Sequence, residues 1–291
     1  MPPILTALSE ISARYDALFC DLWGCLHNGV QVYPEAVAAL EAFRAQGGTV
    51  ILVTNSPRPA ASVAKQLAGM GAPQSCYDAI ASSGDAAQAA LASGAFGRKV
   101  YHLGPERDLP FFSDPDGTPY DVERVPLDEA EGIVCTGLFD DRTETPEDYR
   151  LTIAQGVHRG LKLLCANPDI LVDVGDQRIY CAGALAEAYT AAGGESFYFG
   201  KPHPPIYDLA KRHLIALGRS VEDAGILCVG DGLITDIRGA NGEGLDSVWI
   251  TGGLAAEATS SPPGGSPDPD KAHQVLGEAQ LNCTGILGYL R

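Results

Sequence analysis

The chain has 291 residues, 45% of them hydrophobic, and a formal net charge of -17. That length favours two domains with a substantial buried core. The acidic balance argues against a nucleic-acid or anionic-membrane partner, which would need a basic face, but small anions can still be held by local amides, a lysine and a metal ion.

In chain order, ALFCD (17–21) predicts a buried strand. PEAVAALEAFRAQGG (34–48) predicts a helix with Val37, Leu40 and Phe43 on one face, Pro34 in the first turn and Gly47-Gly48 at the end. TVILV (49–53) is β-branched and continuous, as a strand covered on both faces should be. TNSPRP then forms a turn before a helix ending near Gly69 or Gly71. Further strands are predicted at 99–104, 132–137 and 161–167, and helices at 84–94, 146–158 and 183–192. The stretch 108–124 is rich in turn formers and predicts a hairpin or loop. The opening pattern returns with strands at 196–200, 225–231 and 246–252 and helices at 204–218 and 233–244. The Pro/Gly/Ser-rich residues 259–270 predict a surface loop. Strand–helix alternation implies a parallel sheet with right-handed crossovers. The simplest architecture is an α/β core from both ends of the chain, residues 1–83 plus 196–291, with a second domain inserted over 84–195.

The eight cysteines include no C-x-x-C pair, and most sit in apolar runs such as GILCVGD. They read as small buried hydrophobes of a reducing, cytoplasmic compartment rather than as zinc ligands. The opening MPPILTALSEISARYD has no basic stretch before a long apolar one, and no run reaches the roughly 18 apolar residues of a membrane span. Neither a signal peptide nor a transmembrane helix is expected.

Four segments fall where a predicted strand gives way to a loop, the edge at which open parallel sheets bind ligands. FCDLWGCLHNG (19–29) places Asp21 at a strand end, where a carboxylate can attack a phosphoryl group if a metal offsets the repulsion between anions. In VTNSPRP (53–59), the Thr54 hydroxyl and the amides of Asn55 and Ser56 precede a helix and can hold an anion, or Asn55 or Ser56 can cap that helix. FGKPHPP (199–205) holds Lys201 in a stiff loop, able to neutralise shared negative charge or to lie solvated at the surface. VGDGLITDIRGAN (229–241) sets Asp231 and Asp236 about a glycine loop, as magnesium ligands or as turn and helix-start residues.

In this order the four segments resemble the motifs of haloacid dehalogenase-like hydrolases, most closely the class IIA branch of para-nitrophenyl phosphatase-like and pyridoxal phosphate phosphatase-like enzymes. CANPD (165–169), CAGALAEAYTAAGG (181–194) and FYFGKP (197–202) extend the resemblance over nearly the whole chain. It implies a Rossmann-like parallel-sheet core, a C2-type α/β cap over 84–195, and a Mg2+-dependent phosphatase acting on a small phosphorylated metabolite. By the same resemblance Asp21 is the nucleophile and a metal ligand, and Thr54 and the Asn55 amide hold phosphate. Lys201 bridges nucleophile and phosphate. Asp231, Asp236 and the Trp23 carbonyl complete the metal site. Cap surfaces in this branch often mediate dimers, which makes a homodimer an expectation.

One departure concerns the first motif. The superfamily usually has Asp-x-Asp, the second Asp serving as general acid and base, whereas this chain reads Asp21-Leu22-Trp23. An indole exchanges no proton near neutral pH, and losing a positioned acid/base costs roughly 10²- to 10⁴-fold. His27 is a candidate substitute or a plain polar loop residue. Other readings are a substrate with a good leaving group, and a phosphometabolite-binding protein with little or no catalysis. Trp23 itself would stack on the substrate or plug the space. His102, Phe139, Asp140 and Arg142 lie in loops of the inserted segment and are candidates for substrate contact or plain surface residues.

Overall fold

The computed structural model describes residues 1–114, 116–174 and 177–291. Its strands are β1 (Ala17–Cys20), β2 (Thr49–Thr54), β3 (Ala79–Ser82), β4 (Lys99–Leu103), β5 (Glu123–Arg124), β6 (Gly132–Cys135), β7 (Lys162–Cys165), β8 (Leu171–Val174), β9 (Gln177–Tyr180), β10 (Glu195–Tyr198), β11 (Ile226–Gly230), β12 (Asp246–Ile250) and β13 (Gly285–Leu287). They divide between two compact units, one made of Met1–Thr54, Ala64–Ala81 and Tyr207–Arg291, the other of Asn55–Val63 and Ser82–Ile206.

The first unit is built on a six-stranded sheet in the order β13-β12-β11-β1-β2-β3. β1 runs parallel to β11 and to β2, and β12 parallel to β11 and β13. Every residue of β1, β2 and β11 is buried, which is why these strands read as unbroken apolar runs. The helix Pro34–Ala45 carries the chain from β1 to β2 with Leu40 and Phe43 buried. Its proline occupies the first turn, where a missing N–H costs nothing.

The second unit holds a five-stranded sheet in the order β10-β7-β6-β4-β5, parallel throughout. Alternate residues of β6 enter different cores: Ile133 and Cys135 join Leu163, Leu185 and Tyr189, whereas Val134 joins Leu91, Val100 and Phe111. A parallel sheet covered on both faces demands this period-two split. β8 and β9 form a separate antiparallel hairpin.

Several elements differ from the sequence reading. Residues 195–198, taken as the return of the first pattern, pair with β7 in the second sheet. Within 108–124, expected as a hairpin or loop and of which Pro115 lies outside the described residues, a 3-10 helix (Glu106–Phe112) and the short β5 flank a loop with an antiparallel bridge between Ser113 and Pro119. β3, the β8–β9 hairpin, β13 and the helix Pro269–Glu278 were not anticipated. All eight cysteines are buried, with no disulfide among the described residues. Among the described residues, no helix is long and apolar enough to cross a membrane.

Candidate active site

β1 and β11 lie side by side, so the residues that follow them emerge together at the same sheet edge. The Asp21 amide donates to the Val229 carbonyl at 2.8 Å, extending the ladder by one step. Asp231 leaves the end of β11 two residues later. Asp236 comes back to the same place through a tightly wound turn: both its amide and that of Ile237 donate to the Gly232 carbonyl, at 2.8 and 3.1 Å. A five-residue π-helical turn results, a form frequent at functional sites. The Asp236 carboxylate folds back to accept from the Gly232 amide at 3.1 Å.

Ligand oxygens of Asp21, Asp231 and Asp236 all lie within 4.8 Å of one another, and all three residues are buried. Glycines make that closeness possible. A Cβ on Gly24 would lie 2.1 Å from Asp231 Oδ2, and one on Gly253 only 2.0 Å from it. The Leu254 amide donates to the same oxygen at 3.0 Å, and the buried Trp249 indole donates to the Asp231 carbonyl at 3.1 Å. Three buried carboxylates this close repel one another, and a hard cation with oxygen ligands is the group that suits them. The Trp23 carbonyl, which accepts no hydrogen bond among the described residues, is a further oxygen donor of the right kind.

In the second unit, Asn55 organises the other half of the predicted constellation. Its side-chain oxygen accepts from the Lys201 amide at 2.7 Å. Its Nδ2 donates to the Lys201 carbonyl at 3.0 Å and to Asp169 Oδ1 at 2.8 Å. Asn55 and Lys201 are 3% and 4% exposed, so Lys201 is no solvated surface lysine. Gly200 is required beside it, because a Cβ there would lie 2.4 Å from Asn55 Oδ1. Thr54, the buried last residue of β2, immediately precedes Asn55. The structure thus gathers Asp21, Asp231 and Asp236 in one group, and Asn55, Lys201 and Asp169 in another.

A family profile described as haloacid dehalogenase-like hydrolase matches residues 18–116, and a second, HAD-hydrolase-like, matches 198–277. A solved haloacid dehalogenase-like hydrolase from Brucella suis is 42% identical, with 99% of this chain and 100% of that chain covered and a TM-score of 0.86. The 5'-nucleotidase YutF of Bacillus subtilis is 25% identical over 82% of this chain and 88% of its own. A glycerol phosphate phosphatase from Mycobacterium tuberculosis, solved in complex with calcium and with magnesium, is 26% identical. The calcium complex covers 88% of this chain and 73% of its own, with a TM-score of 0.64.

The chain belongs to the haloacid dehalogenase-like hydrolases. Its parallel-sheet α/β fold is the one expected of the class IIA branch.

This hydrolase holds Trp23 within its own loop. The indole packs edge-on against the His27 ring, centroids 5.1 Å apart at 71°. A Cβ on Gly29 would lie 2.3 Å from the indole, so the ring rests directly on the Gly29 backbone. The Trp23 ring is half-buried in this packing. His27 is 2% exposed, and its Nδ1 accepts from the Gly29 amide at 2.9 Å, which leaves the proton on Nε2.

Burial pushes the His27 imidazole down from 6.5 to about 4, so the ring is neutral at pH 7. Unfolded, it would bind a proton through the window from about pH 6.5 to about 4 that the folded chain does not bind. Stability therefore falls as pH drops through that window, by about 2 kcal/mol at pH 5. Urea denaturation at pH 7 and pH 5 is expected to show this loss in the wild type and a smaller one in His27→Gln. Equal losses in both proteins would remove His27 as its source.

Asp169, which holds Asn55, was visible in the sequence only as part of CANPD and carried no site role there. The backbone contact from Leu254 to Asp231 had no sequence signal, because an amide donor looks the same at every residue.

Proposed function

We propose that this hydrolase is a magnesium-dependent phosphatase of a small phosphorylated metabolite, working through an aspartyl-phosphate on Asp21. The observation that carries the reading is the buried cluster of Asp21, Asp231 and Asp236 at the ends of adjacent parallel strands. Asp21 attacks phosphorus, the ester P–O bond breaks, and the leaving oxygen takes the electron pair. Water then releases phosphate from the aspartyl ester. Thr54 and the Asn55 amide hold the phosphoryl oxygens, and Lys201 balances their charge. Asp231, Asp236 and the Trp23 carbonyl, with Asp21, would hold Mg2+, which supplies charge neutralisation for the meeting of two anions. The activities named for the relatives, a 5'-nucleotidase and a glycerol phosphate phosphatase, support a phosphomonoester substrate. The inserted segment 84–195 serves as the cap that sets specificity. A cytoplasmic location and a homodimer complete the proposal.

A second reading is favoured by one observation: the position two residues after Asp21 carries an indole, which donates no proton to a leaving alcohol. On that reading the chain binds a phosphometabolite and scarcely turns it over.

Phosphate release from a panel of phosphomonoesters, with magnesium or with EDTA, is the test. Release is expected to need magnesium and to vanish in Asp21→Asn, whose fold is checked by circular dichroism. Release that persists in a folded Asp21→Asn, or in EDTA, would sink the phosphatase reading.

A further inference from the structure

Ser83 is fully buried, and its hydroxyl has no hydrogen-bond partner among the described residues. A donor buried without a bond costs stability, so such a group in a native chain calls for a reason. Ser83 is the first residue of the helix Ser83–Ala92, but it does not cap that helix. Ser82 does, accepting from the Asp85 amide at 3.0 Å. Local structure therefore makes no use of the Ser83 side chain.

What the hydroxyl stands beside is the Asn55–Lys201 pair. A Cβ on Gly200 would lie 2.4 Å from Asn55 Oδ1 and 2.8 Å from Ser83 Oγ, so both oxygens border one glycine. Asn55 Oδ1 accepts from the Lys201 amide at 2.7 Å, and a carbonyl oxygen has a second lone pair to offer. The residues after Ser83 brace the segment that carries Asn55. The Gly84 amide donates to the Ser56 carbonyl at 3.0 Å, and Asp85 accepts from the Ala60 amide at 3.1 and 3.2 Å. Gly84 packs so closely that a Cβ would meet the Pro57 carbonyl oxygen at 2.3 Å. Ser83 thus sits on a rigid platform beside Asn55. Asn55 in turn holds both the amide and the carbonyl of Lys201, so a shift of the Lys201 backbone passes to the Asn55 side chain.

We propose that Ser83 is a positioning residue for phosphoryl binding: its hydroxyl donates to Asn55 Oδ1 when Lys201 is drawn onto a phosphoryl group, and so fixes Lys201 through Asn55. Both oxygens already border Gly200, so a small turn of either side chain makes the bond. Full burial keeps Ser83 from touching the ligand itself. The proposal rests on the phosphatase reading above, in that Asn55 and Lys201 hold the phosphoryl group. One added hydrogen bond is worth roughly 2- to 12-fold in affinity.

Ser83→Ala tests it. Inorganic phosphate is titrated calorimetrically, with magnesium present, into wild type and variant, and the Tm of each is read without phosphate. Phosphate is expected to bind the variant roughly 2- to 12-fold more weakly, while Tm is unchanged or higher because the substitution removes an unbonded hydroxyl. With a phosphomonoester substrate, KM should rise by the same factor and kcat stay nearly unchanged, as when ground state and transition state lose an interaction equally. A merely structural serine would lower Tm and leave phosphate affinity alone. Equal phosphate affinity in the two proteins, or a lower Tm in the variant, overturns the proposal, and so does a wild type that binds no phosphate. A wild type that binds phosphate but releases none from any ester would count against the phosphatase reading alone, and the binding comparison would still decide the role of Ser83.

Discussion

Trp23→Asp is expected to raise phosphate release roughly 100-fold or more, the contribution of a positioned general acid/base. The residue at this position follows Asp21 by two in a loop anchored at both ends. The Leu26 and His27 amides donate to the Leu22 carbonyl at 2.8 and 3.0 Å, and the Gly24 amide donates to the His27 carbonyl at 2.9 Å. An aspartate there would inherit that fixed backbone, with a carboxyl that can exchange protons where the indole cannot. The substitution also removes an aromatic ring from Gly29 and His27, which costs about 1–3 kcal/mol of buried apolar surface. The variant is therefore expected to be faster and less stable at once. The gain should be larger with glycerol 3-phosphate than with p-nitrophenyl phosphate, whose leaving oxygen needs less protonation. Trp23→Asn, similar in size but without an acidic proton, should show no gain. A folded Trp23→Asp that is no faster than the wild type on either substrate would mean that protons reach the leaving group by another route.

The second large effect is on stability. Magnesium at about 100 times its dissociation constant is expected to stabilise the folded chain by about 2.7 kcal/mol, which raises Tm by about 4 °C in a protein of this size. The reason lies in the cluster: ligand oxygens of three buried carboxylates lie within 4.8 Å, and a divalent cation relieves their mutual repulsion. Asp231→Asn keeps the acceptor for the Leu254 amide and leaves the backbone carbonyl for Trp249, but removes one ligand charge. The magnesium-induced rise should shrink to a small fraction in that variant. Scanning fluorimetry with magnesium against EDTA reads this directly, and it does so without any substrate. A wild type with the same Tm in both, or an Asp231→Asn that keeps the full rise, would remove these carboxylates as the metal site.

Much of the fold was legible because the relevant signals are local. Runs such as TVILV and GILCVGD are apolar throughout because their strands are covered on both faces. Pro34 marks a helix start by fixing φ where the amide is not needed. Elements escaped notice where the local signal was short or mixed. β13 has three residues, and β9 carries exposed Gln177 and Arg178. The helix Pro269–Glu278 begins inside a Pro/Ser/Gly-rich stretch, so its start was absorbed into the loop, although Asp268 caps it by accepting from the Lys271 amide.

The sequence by itself determined the chemical inventory: an acid after the first strand, a hydroxyl and amides after the second, a lysine in a Gly-Pro loop, two more acids about a glycine turn, and an indole where a second acid is usual. Residue identity settles these things, because pKa range, donor count and allowed φ belong to the residue and its immediate neighbours. Only the tertiary structure decided that β11 lies against β1, some 200 residues away in sequence, so that Asp21, Asp231 and Asp236 converge. It also decided that Asn55 grips both Lys201 and Asp169, that Trp23 folds back onto Gly29, and that β10 joins the second sheet. Those outcomes depend on which surfaces exclude water together, a property of the whole packed chain that no short stretch of sequence encodes.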